Sequence, residues 1–220
     1  MMAAAALPFV TVVMPVRNEA DFIERSLGAV LSQDYPRNRF EVLIADGMST
    51  DDTRERIRSL PSGAVPVRIL DNPGRIVPTG LNAALKEARG EIIVRVDGHC
   101  EIAPDYLRRS VEHLSRGEAS GVGGPIETVG EGYRAQAIAA AMSSNFGVGG
   151  SAFRTGRDEP SFVDTVAFPA YPRQILQKAG PYDEELVRNQ DDEYNYRLRK
   201  AGHRLLLAPD VRSLYFSRAT

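Results

Sequence analysis

Near its start the chain carries a β-branched apolar run, Phe9–Met14, and then changes period: over Ala20–Ser32 the apolar residues Phe22, Ile23, Leu27, Val30 and Leu31 recur at helical spacing. The exchange repeats. Glu41–Ala45 is a second apolar run, and Asp51–Leu60 a second helical stretch with Ser49 or Thr50 available as N-cap. A strand over Val67–Leu70, a helix near Thr79–Ala88, a strand over Glu91–Val96 and a helix over Asp105–Leu114, with Pro104 in its first turn, complete the first half. Strand, helix and strand in units of about 30 residues predict an α/β fold whose parallel sheet is joined by right-handed crossovers.

The second half is less regular. Asn145–Ser161 is rich in Gly, Ser and charge, has no period and reads as a loop that could close over a ligand. Beyond it the pattern predicts a short strand Val163–Phe168, helices near Pro172–Ala179 and Asp191–Ala201, and strands Arg204–Leu207 and Val211–Phe216. Parallel sheets bind ligands beyond the carboxyl ends of their strands. The polar clusters Pro15–Glu19, Asp46–Asp52 and Asp97–Glu101 fall there, which is a nucleotide-binding layout.

Composition narrows this without redirecting it. With 220 residues the chain suits one domain with a full core, and 27 Lys plus Arg against 29 Asp plus Glu leave a net charge of −2, so no nucleic-acid partner is expected. A lone Cys100 excludes an intramolecular disulfide and a cysteine-rich zinc site. The apolar start, Ala3–Met14, is broken by Pro8 and lacks a basic lead, so it reads as a tail entering a strand rather than a signal peptide. No run approaches the roughly 18–20 apolar residues that span a bilayer.

Two nucleotide signatures are missing, G-x-x-x-x-G-K-[ST] and a G-x-G-x-x-G at the first strand–helix junction, which argues against a P-loop NTPase and a dinucleotide dehydrogenase. The glycine-rich Gly121–Pro125 and Gly147–Gly150 read as turns. Asp97 and His99, two residues apart at a strand end, can reach one divalent ion, Mg²⁺ or, with the imidazole, Mn²⁺; a turn-capping Asp beside a His explains the same residues. Asn189–Glu193 opens a helix, where carboxylates serve as a general base or simply complement the helix dipole. Pro15–Glu19 and Ala45–Thr53 either recognise a base and ribose or are ordinary turn chemistry.

In order along the chain, VVMPVRNE (Val12–Glu19), VLIADGMSTDDT (Val42–Thr53), Gly80–Ala84 with Ala88-Arg89-Gly90, VDGHC (Val96–Cys100) and QDDEYNYRLRKAG (Gln190–Gly202) resemble the inverting GT-A-fold glycosyltransferases that include cellulose and hyaluronan synthases. The match runs from about residue 8 to about 216. DGHC together with FGVGGSAFR (Phe146–Arg154) and RNQDDEYNYRLRKAG (Arg188–Gly202) is similar to the branch of bacterial succinoglycan and other exopolysaccharide glucosyltransferases. The resemblance implies a mostly parallel central sheet flanked by helices, in a single domain with a nucleotide-sugar part over 8–100 and an acceptor part over 101–216.

It further implies a UDP-sugar pocket formed by Pro15, Arg17, Glu19, Asp46 on the uracil, Arg75, Asn82, Asp97 and Gly98. A D-x-D-type site of Asp97 and His99 would take Mn²⁺ or Mg²⁺, and Asp191 would be the catalytic base. Gln190, Asp192, Arg197, Gly149 and Gly150 would lie on the acceptor side. The acceptor would be a glycolipid or oligosaccharide hydroxyl, at the cytoplasmic face of the inner membrane. Three departures stand out: His99 replaces the second Asp of D-x-D, Ala45 the first Asp of D-D-G-S, and Gln190 the Glu before the base, which should ease ionisation of Asp191. Q-x-x-R-W cannot occur in a chain without Trp, which favours single addition over polymerisation. Two other readings remain: a nucleotide-sugar-binding module without turnover, and a nucleotidylyltransferase, which would carry a G-x-G-T-R-L type loop where Pro15–Glu19 stands.

Overall fold

The structure is a computed structural model describing residues 7–130, 133, 136, 138, 141 and 158–217. The four apolar runs of the first half form the expected strands: β1 (Val10–Val16), β2 (Phe40–Asp46), β3 (Val67–Asp71) and β4 (Ile92–Arg95), separated by helices α1 (Ile23–Leu31), α2 (Thr53–Ser59) and α3 (Val77–Glu87), with α4 (Tyr106–Ser115) following. β1 pairs in parallel with both β2 and β4, and β2 with β3.

The second half adds what the periodicity does not reveal. Short strands β5 (Cys100–Ile102), β6 (Gly121–Gly123), β7 (Ile126–Gly130), β8 (Ser161–Val163) and β9 (Ala170–Pro172) precede helices α5 (Arg173–Ala179) and α6 (Gln190–Lys200) and strands β10 (Leu205–Leu207) and β11 (Ser213–Ser217). The large sheet has the order β3-β2-β1-β4-β9-β6-β10-β8. It is mostly parallel, but β9 runs antiparallel to both β4 and β6, and β8 antiparallel to β10. The expected strand Val163–Phe168 is therefore replaced by two short ones around a turn in which Phe168 has φ of 44°. Gly121–Gly123 is a strand, not a turn: a Cβ on Gly121 would stand 2.3 Å from the Tyr171 ring, so glycine is what lets β6 lie against β9. β5, β11 and β7 form a separate three-stranded sheet in which Cys100 is wholly buried.

Strand parity sorts the core onto two faces. Val10, Val12 and Met14 of β1 and Ile92 and Val94 of β4 join the α1 and α4 side chains, whereas Val13 and Ile93 join Leu81 and Ala84 of α3, Leu176 of α5 and Tyr194 and Leu198 of α6. Full burial of each such side chain is worth about 1.5–3 kcal/mol. One buried charge fixes the α3–β4 turn: Glu41, fully buried, accepts from Thr11 Oγ1 at 2.9 Å and from the Arg89 backbone N and guanidinium at 2.6–3.0 Å. This explains the Ala88-Arg89-Gly90 motif in structural terms.

Candidate active site

The loops after β1 and β2 are stapled to each other by short polar side chains. Asn18 N donates to Ser49 Oγ (2.9 Å), Thr50 N to Asn18 Oδ1 (2.9 Å), Glu19 N to Thr53 Oγ1 (2.8 Å) and Ala20 N to Asp51 Oδ2 (3.1 Å). Neither Ser49 nor Thr50 caps α2, contrary to the expectation, because both are consumed by this staple and by Asp46. Asn18, Met48, Arg75 and Asn189, four of the five described non-glycine residues with positive φ, lie in loops at this edge of the sheet. Backbone of this kind persists only where its surroundings over-determine it.

Above the staple opens a cavity of about 710 Å³. Pro15, Val16, Arg17 and Glu19 from the first loop, Ala45 and Gly47 from the second, Asn72, Arg75, Ile76 and Val77 ahead of and within α3, and Asp97 and His99 after β4 line it. Ile138, Arg188, Tyr215 and Ser217 close the remaining wall. Of the residues singled out in the sequence, Pro15, Arg17, Glu19, Arg75, Asp97 and His99 are thus brought together. Arg188, the first residue of the RNQDDEYNYRLRKAG segment and three residues ahead of Asp191, joins them on the wall without having been assigned a role of its own. Arg17, Arg75 and Arg188 are exposed and, among the described residues, form no ion pair. Gly98 sits against Glu19, whose Cγ a Cβ would approach to 2.7 Å.

Asp46, expected on the uracil, is not among the residues that line this cavity. Its carboxylate is fully buried and taken up by Ser49 N (3.1 Å), Ser49 Oγ and Arg54 Nε, while Arg54 also reaches Asp71. Ala45 and Gly47 line the wall instead. Asn82 is likewise redirected: its amide exchanges hydrogen bonds with the Tyr182 backbone (2.8 and 2.9 Å) and donates to Glu184 (2.8 Å), locking α3 to the segment before α6. Arg197 faces Glu193 and the carbonyls of Ala179 and Pro181, and so braces the start of α6. Asp192 is exposed, and Gln190 donates to Asp191 at 3.5 Å. Gly149, Gly150 and most of the loop Asn145–Ser161 lie outside the described residues.

The electrostatic centre is a residue that the sequence reading passed over. Arg95, the last residue of β4, is buried and forks: Nε and one terminal nitrogen donate to Asp97 (2.9 and 3.3 Å), and the other to Asp191 Oδ1. A charge inside an otherwise apolar strand, two residues before a site carboxylate, is the signal that marks it. Burial, with Asp97 and Asp192 close by, lifts Asp191 above the usual carboxylate range against the pull of Arg95. The gain expected from Gln190 is thus outweighed by desolvation. His99 Nδ1 meets Glu19 Oε1 at 3.0 Å, and its ring lies edge-on to Tyr215, 4.7 Å between centroids. Among the described residues no group of three or more His, Cys, Asp and Glu side chains converges as a metal cluster.

The family model for glycosyl transferase family 2 matches residues 11–180. The chain is 36% identical over 210 residues to a succinoglycan biosynthesis protein, ExoA, of Rhizobium meliloti (strain 1021), covering 94% of this chain and 63% of that protein. It is 30% identical over 220 residues to a Methanococcus voltae dolichyl N-acetyl-alpha-D-glucosaminyl phosphate 3-beta-D-2,3-diacetamido-2,3-dideoxy-beta-D-glucuronosyltransferase, covering 96% of this chain and 68% of that protein. The chain therefore spans about two thirds of the length of these curated relatives. Among solved structures, the mannosyltransferase PcManGT from Pyrobaculum calidifontis, in complex with GDP-Man and Mn²⁺, superposes with a TM-score of 0.72 at 24% identity, over 96% of this chain and 57% of that one. S. aureus TarS 1-349 in complex with UDP-GlcNAc gives 0.72 at 18% identity, over 96% and 59%. These likenesses establish the GT-A fold.

Proposed function

The chain belongs to glycosyl transferase family 2, and from that premise we propose that it moves one sugar from a nucleoside-diphosphate sugar, UDP-linked, to a hydroxyl of a glycolipid or oligosaccharide in polysaccharide assembly, with inversion at the anomeric carbon. The observation that carries this reading is the charge layout of one cavity: exposed Arg17, Arg75 and Arg188 on its wall, and Asp97, joined through Arg95 to Asp191, at its edge. The three guanidiniums suit phosphate oxygens. With Asp46 committed to its turn, the base would lie along Pro15, Ala45 and Gly47.

In the chemical step the acceptor oxygen attacks the anomeric carbon in line, the bond from that carbon to the diphosphate oxygen breaks with its electron pair leaving on the diphosphate, and Asp191 takes the hydroxyl proton. A carboxylate raised by burial is a better proton acceptor, and such a base contributes typically 10²–10⁴-fold. Asp97 and His99, a carboxylate and an imidazole on one wall, would hold a divalent cation. Such a cation, Mn²⁺ or Mg²⁺, would supply neutralisation of the departing diphosphate. The acceptor would enter beside Gln190 and Asp192, and the work would take place at the cytoplasmic membrane face.

The test is release of nucleoside diphosphate from UDP-glucose, UDP-N-acetylglucosamine and GDP-mannose, with and without Mn²⁺, for the wild type and Asp191→Asn. Metal-stimulated release from a UDP-sugar, lowered by about 10²–10⁴-fold in the variant, is expected. Tight UDP binding with no release would make this a binding module, and near-normal turnover by Asp191→Asn would remove the base assignment.

A further inference from the structure

Period-two alternation puts Ile93, Arg95 and Asp97 on the sheet face covered by α3, α5 and α6, while Ile92, Val94 and Val96 join the opposite core. A guanidinium at such a position is costly unless its donors are met. Arg95 is buried and meets two carboxylates that are 94 residues apart in the chain, Asp97 at 20% and Asp191 at 35% side-chain exposure. Tyr171 and Tyr182 line the small void beside it. One cation thus fixes the spacing between the loop that follows β4 and the first turn of α6.

We propose that Arg95 is a positioning residue for transfer: its two-sided fork sets the Asp191 carboxylate at a fixed distance and orientation from Asp97, and so from the anomeric carbon of a bound donor. The inference rests on Asp191 being the base. Arginine is needed because a single ammonium cannot address both carboxylates in one plane. The role differs from that of a core brace, since the carboxylates it holds are the partly exposed groups while the guanidinium itself is covered.

The experiment compares wild type, Arg95→Met, Arg95→Lys, Asp191→Asn and the double variant Arg95→Met/Asp191→Asn, using the donor of the panel above that is turned over fastest, with thermal melting in parallel. Misplacing a reacting group by an ångström can cost about 100-fold, so Arg95→Met should lower kcat by about that factor while donor KM moves by less than about fivefold. Arg95→Lys should recover about tenfold of the loss. The double variant should be no slower than Asp191→Asn alone, because Arg95 acts through that carboxylate.

Multiplicative losses in the double variant, or an Arg95→Met kcat within about threefold of wild type, overturn the proposal. If Arg95→Met does not fold, Arg95→Lys decides: a kcat within about threefold of wild type overturns it, and a larger drop at unchanged melting supports it. An active Asp191→Asn would instead strike the base assignment itself, so the two failures are told apart.

Discussion

The two ends of the cavity are charge inverses of each other. Under the loops after β1 and β2 the anion is buried and the cations are outside: Asp46 is fully covered by Ser49 and Arg54, while Arg17, Arg75 and Arg188 stand exposed on the wall. At the end of β4 the cation is buried and the anions are only partly covered: Arg95 is 7% exposed at its side chain, against 20% for Asp97 and 35% for Asp191. Under the proposed function the first arrangement would present positive charge to a phosphate, and the second negative charge to a proton or a metal ion. In each case the buried counter-charge holds the groups nearer the surface in place.

This contrast can be broken most forcefully at Asp46. Removing one partner of a buried pair costs about 3–5 kcal/mol, and Arg54 is only partly covered, so Asp46→Ala should lower unfolding stability by about 2 kcal/mol in chemical denaturation. Undiminished stability with lost UDP binding would return Asp46 to the nucleoside. At the exposed cations the effect should be smaller and of the opposite kind. Arg75→Ala and Arg188→Ala should each weaken UDP binding by about 5–10-fold at low salt, less at high salt, with stability within about 0.5 kcal/mol of wild type. Calorimetric titration at two ionic strengths measures this, and a salt-independent loss would speak against a phosphate contact.

The smallest effect sharpens the comparison from outside the cavity. Burial alone would raise the Glu41 carboxyl, but hydrogen bonds from Arg89 and Thr11 hold it below its ordinary value of 4.5. A carboxylate depressed in the folded state contributes stability above its unfolded pKa and loses that contribution as pH falls through the folded one. Glu41→Gln should therefore lie about 1 kcal/mol below wild type near neutrality, with the gap closing below pH 4.5. A gap that stays constant down to pH 3 would mean the charge of Glu41 is immaterial.

What was legible in the sequence follows the range of the forces involved. The first four strands and the helices between them announce themselves because seven-residue runs such as Val10–Val16 and Phe40–Asp46 carry a full period. Strands of three residues, such as β5, β6 and β9, do not, and their pairing depends on partners far along the chain. Within the site, Arg17, Glu19, Asp97 and His99 could be read from their place at strand ends. Asp46 could not be assigned, since Asp46 and Ala45 are adjacent and only the pleat decides which of them faces the cavity. Arg95 carries no motif of its own, because its meaning lies in Asp191, 96 positions away. Arg188 belongs to the segment around Asp191, but its place on the cavity wall follows only from the fold.

Cys100 gives the small sheet a use that has nothing to do with catalysis. Its thiol is wholly buried in β5 beside the cavity wall, and burial pushes it well above its ordinary ionisation, so in the closed fold it is chemically silent. As the sole cysteine of the chain it would register any opening of the packing around β5, its pairing with β11 included. A thiol-reactive label would therefore report openings of the packing behind the strand that brings Tyr215 and Ser217 to the cavity.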